Sequence, residues 1–269
     1  MISVLMSIYK NEDPSWFRKA IFSITEGQDR SPDEVVLVSD GPLGPELENE
    51  IARASEYLGE KLKLVRLDEN VGLGLALREG LEHCGGDLVA RMDTDDIARS
   101  ERLRLQEEYM VSHPDVAACG GDIAEFENEG ETIRVKKMPS SAEDVYKYGK
   151  KRNPLNHMTV MFRKNAVFKA GSYQHFPLLE DYHLWSRLLA GGEKIENLGQ
   201  ILVDARIGKS FAGKRGGREY YEWYKKLRRL QKEWGYLNGS EYVVSLALTF
   251  AMTRQSSRGR EISYKILRK

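Results

Sequence analysis

The chain has 269 residues, 41% of them hydrophobic and 30% charged, with 41 Lys/Arg balancing 41 Asp/Glu. Such a composition excludes a chain dominated by disorder, and its apolar runs fall well short of the roughly 20 residues that a membrane span requires. The two cysteines, Cys84 and Cys119, stand far apart, which fits small core residues rather than a disulfide framework or a zinc site. The zero net charge conceals an asymmetry: Arg206 to Lys269 holds 16 Lys/Arg and 5 Asp/Glu, leaving 25 and 36 in residues 1–205.

In chain order, Ile2 to Ile8 is predicted as a buried strand, preceded by no basic leader, so no export is expected. Asp13-Pro14 then caps a helix whose Trp16, Phe17, Ala20, Ile21 and Ile24 form one apolar face. Glu34 to Val38 is a second strand, followed by the turn residues Gly41-Pro42 and a helix from Pro45 to Leu58. Lys61 to Leu67 is a third strand, Gly72 to His83 a helix ended by Gly85-Gly86, and Asp87 to Met92 a fourth strand. Strand and helix alternating in this way imply a parallel sheet with right-handed crossovers, an α/β architecture.

Beyond residue 100 the pattern is mixed. A helix is predicted over Glu101 to His113 and strands over Val116 to Gly120, Thr159 to Phe162 and Ile201 to Ile207. "EFENEGETIRV" has the form of a hairpin turning at residues 128–130. Asp181 to Ala190 is a helix with Leu184, Trp185, Leu188 and Leu189 inward. From residue 213 two further helices precede a basic tail; Lys225, Lys226, Arg228, Arg229 and Lys232 are expected on a solvated face, with Trp223, Tyr224, Leu227, Leu230 and Trp234 packing down.

The chemistry concentrates where the strands end. In an open α/β sheet, ligands sit beyond the carboxyl ends of the strands, where loops and helix N-termini converge. Strand one ends in Ser7, Tyr9, Asn11 and Glu12, strand two in Asp40-Gly41, strand three in Asn70-Val71-Gly72, and strand four in Asp93-Thr94-Asp95-Asp96. Carboxylates packed this densely repel one another unless a cation sits among them. Asp95 and Asp93 are therefore candidate ligands of Mg²⁺ or Mn²⁺, with Asp96 serving better as a cap for the next segment and a solvated loop as the plain alternative. No Walker A or GxGxxG pattern is present.

Six segments taken in order, "SVLMSIYKNE", "VVLVSDGP", "NVGLGLALREG", "RMDTDD", "NHMTVMFRK" and "LLEDYHLW", resemble those of the family 2 glycosyltransferases of the GT-A fold, over roughly residues 1–210. The resemblance implies a nucleotide-binding half (1–100), an acceptor-binding half (101–210) and a helical extension (211–269). It implies that Ser7, Tyr9 and Glu12 line the nucleotide pocket, that Asp40 recognises uracil, and that Asn70, Gly72 and Arg78 lie near base and sugar. Asp93 would hold the ribose or donor sugar and Asp95 the metal; Asp181 would be the base of an inverting transfer. Asn156 and His157 would contact the acceptor or the donor; Glu180, by its place beside Asp181, either raises that residue's proton affinity through like charge or faces away to bind an acceptor hydroxyl. For Asp40 a turn role, and for Asp181 a helix-cap role, are the alternatives.

The implied activity is metal-dependent, inverting, single transfer of a sugar from a nucleotide diphosphate, UDP-linked by expectation, to a glycan or lipid-linked acceptor in bacterial surface polysaccharide assembly. The alternatives are a sugar-nucleotide nucleotidyltransferase, disfavoured because "SIYKNEDP" replaces a Gly-rich basic loop, and a silent nucleotide-binding module. The expected setting is the cytoplasm, with the basic C-terminal region docking at the inner face of an anionic membrane and no nucleic-acid partner.

Overall fold

The computed structural model describes residues 1–207 and 217–254. Among the described residues nine strands form one sheet: β1 (Ile2–Ile8), β2 (Glu34–Ser39), β3 (Leu62–Arg66), β4 (Leu88–Arg91), β5 (Ile97–Ala98), β6 (Val116–Phe126), β7 (Thr132–Lys136), β8 (Met161–Arg163) and β9 (Lys194–Arg206). Their order is β3-β2-β1-β4-β8-β6-β9-β5, with β7 paired to β6. β1 to β4 pair in parallel, as do β6 and β9, whereas β8 runs antiparallel to both β4 and β6. The short β5 and β7 are also antiparallel to their partners, so six of the nine strands share one direction.

The helices are α1 (Pro14–Ile24), α2 (Pro45–Leu58), α3 (Leu73–His83), α4 (Arg102–Ser112), α5 (Ala142–Gly149), α6 (Lys164–Lys169), α7 (Glu180–Ala190), α8 (Gly217–Glu233) and α9 (Gly239–Thr253). Alternation along the strands explains why they lie on both faces of the sheet. Ile2, Val4, Met6 and Ile8 of β1 share one core with Phe17, Ala20 and Ile24 of α1 and Leu47 and Ile51 of α2. Leu5 on the opposite face joins Val36, Val38, Leu77 and Leu81 and the α7 residues Leu184, Trp185 and Leu188. Cys84 and Cys119 are both buried thiols, as composition implied.

The structure corrects the sequence reading in several places. Trp16 does not pack inward; it is exposed, with the Arg206 guanidinium 4.5 Å from its ring centre. β6 extends through Gly120 and Gly121 to Phe126, because β9 beside it supplies partners along its whole length. The short elements β5, α5 and α6 were not anticipated. Arg228 was expected on the wet face of its helix, but it is fully buried, donating to Lys150 O and Lys151 O at 2.8 Å each and to Gln231 Oε1 at 2.8 Å. Helix α8 is thereby tied to the 150–153 loop, and Gln231 adds a 2.6 Å bond to Ser186 on α7. The expected domain boundary at 210/211 and the basic tail after 254 lie outside the described residues.

Candidate active site

The strand ends deliver their polar groups to one edge. At the end of β4, Asp93, Asp95 and Asp96 form, among the described residues, a group whose carboxylate oxygens lie within 4.8 Å of one another. Burial pushes the Asp95 carboxyl up to about 6, with Asp93 adding to the effect and Arg91 opposing it. Burial, then Asp95 and Asp93, raise Asp96 well above the carboxylate range. Asp96 is committed to the fold in another way than the sequence reading expected: its Oδ1 accepts the Arg206 N–H at the end of β9 at 2.7 Å, rather than capping the next segment. Oxygen donors that raise one another's proton affinity in this way suit a hard divalent cation, so the donor set fits Mg²⁺ or Mn²⁺.

Two buried arginines hold this acidic turn. Arg91, 2% exposed, forms an ion pair with Asp93 through Nη2, while its Nε and Nη1 have no hydrogen-bond partner. Arg102, also fully buried, donates to Arg91 O at 2.6 Å from Nη2. Burial and then the neighbouring Arg91 charge lower its proton affinity, to about 9.

Asp40, at the end of β2, is buried and shapes the loop beside it. Its Oδ1 accepts Val71 N–H at 2.7 Å, and its Oδ2 accepts Gly72 N–H at 3.1 Å and Asn70 Nδ2 at 3.0 Å. Gly41 follows with a positive φ of 85°, and a Cβ there would stand 2.7 Å from Asn70 N, so only glycine lets the two loops meet. Ser7 is half-buried at the end of β1. Burial first, then Glu12 and Asp95, raise the Tyr9 phenol, which puts Tyr9 in the field of the acidic turn. Arg78 is exposed in the second turn of α3.

A second acidic pair, Glu180 and Asp181, opens α7. Asp181 Oδ2 accepts Asn153 Nδ2 at 2.5 Å and its Oδ1 accepts Tyr182 N–H at 2.6 Å. Half-buried Glu180 has its proton affinity raised to about 7 by burial and then by Asp181. It packs against the start of α3, where a Cβ on Gly74 would come within 3.0 Å of Glu180 Cβ and 2.8 Å of Gln174 O. Tyr173 is fully buried, and its phenol is raised by burial first, with Arg91 opposing and the charges of Asp181, Glu180 and Asp93 adding to the effect.

Asn156 and His157 are buried and engaged within the protein. Asn156 Nδ2 donates to Gly121 O at 2.9 Å and its Oδ1 accepts Lys136 Nζ at 2.5 Å. His157 Nε2 shares a 2.9 Å hydrogen bond with the Tyr173 hydroxyl, and burial, then Arg91, hold the imidazole neutral. Sequence reasoning missed Arg91, Tyr173 and Asn153. For Arg91 a signal existed, since a cation in an apolar strand two residues before Asp93 shares its face. For Asn153 and Tyr173 there was none.

This geometry agrees with what the chain resembles. Residues 3–176 match the family described as Glycosyl transferase family 2. The chain belongs to that family. Among relatives of this glycosyltransferase, the amylovoran biosynthesis glycosyltransferase AmsE of Erwinia amylovora is 40% identical over 255 residues, covering 94% of each chain. A UDP-Gal:alpha-D-GlcNAc-diphosphoundecaprenol beta-1,3-galactosyltransferase of Escherichia coli is 40% identical over 219 residues, 81% of this chain and 78% of the other. Among solved structures, S. aureus TarS in complex with UDP-GlcNAc superposes with a TM-score of 0.66 at 17% identity, over 93% of this chain and 71% of that one. The mannosyltransferase PcManGT from Pyrobaculum calidifontis, in complex with GDP-Man and Mn²⁺, gives 0.59 at 15% identity, over 99% and 79%. The glycosyltransferase therefore has the GT-A fold, with two C-terminal helices packed onto it.

Proposed function

We propose that the enzyme is an inverting, metal-dependent glycosyltransferase that moves a sugar from a UDP-linked donor to a lipid-linked glycan during bacterial polysaccharide assembly. The observation carrying this reading is the Asp93, Asp95 and Asp96 turn, its oxygens within 4.8 Å of one another, at the end of β4. UDP enters because the E. coli relative is named for UDP-Gal and TarS binds UDP-GlcNAc. The polysaccharide setting and lipid-linked acceptor follow the names of the two bacterial relatives. Such an acceptor would be met at the inner face of the cytoplasmic membrane.

Asp95 and Asp93 would hold Mn²⁺ or Mg²⁺, which when bound neutralises charge on the departing diphosphate and removes the need for a general acid. Asp181 takes the proton of the acceptor hydroxyl, and Asn153 and the Tyr182 N–H fix the position of its two oxygens. Glu180 orients the acceptor sugar. Arg91 keeps Asp93 paired and in place. Asp40 spends three of its roughly four lone pairs on the 70–72 loop, and the fourth, on Oδ1, is left for the imide N–H of uracil. Ser7, Tyr9, Glu12, Asn70, Gly72 and Arg78 complete the nucleotide side, residues 101–207 the acceptor side.

Turnover of a UDP-sugar panel with Mn²⁺ on a polyprenyl-diphosphate-sugar acceptor, with the product's anomeric configuration read by NMR, tests the proposal. Inverted product from the wild type and turnover at least about 10²-fold lower in Asp181→Asn supports it; retained configuration, or equal turnover by the variant, refutes it.

A further inference from the structure

Helix α9 has an apolar side that nothing in the described chain covers. Val243, Val244 and Leu248 are 63%, 57% and 62% exposed, and Ala247 and Ala251 are exposed beside them. At 100° per residue these five fall on one arc of the helix, with Ser240 before them and Arg254 after them, and that arc holds no acidic residue. The opposite side carries the buried Thr249 and Thr253 and Tyr242, whose ring lies 5.3 Å from Lys232 of α8, while Phe250 at the edge of the arc meets Tyr221 at 5.5 Å between ring centres. Glu241, the acid in the first turn, points away to Lys150 at 3.1 Å.

Charge says what the arc faces. Arg254 closes it, its guanidinium 4.1 Å from the Phe250 ring centre. On the neighbouring helix Lys225 and Lys232 stand exposed, together with Glu222 and with Arg229 paired to Glu233 at 3.5 Å. In sequence, the 15 residues after Arg254 add Arg258, Arg260, Lys265, Arg268 and Lys269 against the single acid Glu261. An apolar stripe closed by Arg254 and followed in sequence by a basic stretch, on a helix too short to span a bilayer, matches the physical pattern of an interfacial helix, where apolar side chains enter the headgroup boundary and cations pair with anionic lipid.

We infer that this face of α9, Val243, Val244, Ala247, Leu248 and Ala251 with Arg254, docks the enzyme on an anionic bilayer. The inference extends the lipid-linked acceptor reading, and its test is separable from it. Flotation of the full chain with phosphatidylglycerol-containing vesicles and with neutral phosphatidylcholine vesicles, in about 0.1 M salt where the Debye length is about 10 Å, is compared between wild type and the Val244→Glu/Leu248→Glu double variant. The expected result is binding at least about tenfold stronger to the anionic vesicles, weakened at least about tenfold in the variant, with its melting curve and its turnover of a water-soluble acceptor analogue unchanged. Equal binding to both vesicle types, no binding, or a variant that binds like wild type overturns the proposal. So does a concentration-dependent dimer that the double variant dissolves, since the face would then meet a second copy. If vesicles are bound as expected but no lipid-linked acceptor is turned over, the acceptor reading fails and the docking face stands.

Discussion

Replacing Glu180 by glutamine should stabilise the ligand-free enzyme at alkaline pH while impairing transfer. The structure raises this carboxyl from its ordinary 4.5 to about 7, through burial and then the Asp181 charge. A carboxyl that binds its proton more tightly when folded costs stability once ionised. The cost is absent well below pH 4.5, grows through the interval from 4.5 to 7, and is complete above it. The difference of about 2.5 pH units, at 1.36 kcal/mol each, gives about 3 kcal/mol at pH 8 and under about 1 kcal/mol at pH 5. The half-buried position lets a glutamine amide reach water, so the neutral isostere should recover most of that amount. For a chain of this size, about 3 kcal/mol corresponds to a rise of roughly 6 to 10 °C in Tm. Thermal melts of wild type and Glu180→Gln with chelator present, at pH 5 and pH 8, provide the comparison. A variant no more stable than wild type at pH 8, or one whose advantage is the same at both pH values, refutes the reasoning. Loss of turnover alongside the gain would mark Glu180 as a group whose strain serves function.

Asp181→Asn should lower kcat by about 10²- to 10⁴-fold while leaving UDP affinity within a factor of two or so, as measured by steady-state kinetics and calorimetry on one preparation. Arg228→Ala should cost about 3 to 5 kcal/mol, because it removes the donor to Lys150 O, leaves Lys151 O only the longer bond from the Tyr224 hydroxyl, and opens a cavity beneath α8; urea unfolding measures it. The same loop carries Asn153, so Arg228→Ala should also lower kcat more than it raises the KM for donor. Asp40→Ala removes three accepted hydrogen bonds from the 70–72 loop and should weaken UDP binding at least about tenfold, read by calorimetry, with the Val71 and Gly72 backbone amides losing hydrogen-exchange protection.

Much of this was legible from sequence because local pattern and burial agreed. The strand of Ile2–Ile8 and the helices of Pro14–Ile24 and Pro45–Leu58 stand where periodicity, Asp13 and Pro45 placed them. The acidic turn was legible for the same reason, since one strand's end brings its own residues together. What was lost depends on contacts between distant segments. The Asn153 to Asp181 bond joins residues 28 apart, and Trp16 turns outward to meet Arg206, far along the chain. Arg228 misled because helical periodicity treats a cation as a surface residue; two backbone carbonyls of another loop offset its burial, and no pattern within α8 reveals them. Residues 142–149 and 164–169 form short helices that helical spacing alone does not separate from turns.

The central claim is that Asp95 and Asp93 hold a divalent cation against the donor's diphosphate. Crystals grown with UDP and MnCl₂, measured at the manganese absorption edge, test it directly. The account predicts an anomalous peak about 2.2 Å from an Asp95 carboxylate oxygen, beside Asp93 and in contact with the diphosphate, with uracil next to Asp40. Bound UDP with no anomalous peak at the acidic turn, or a peak at some other group of residues, would contradict it.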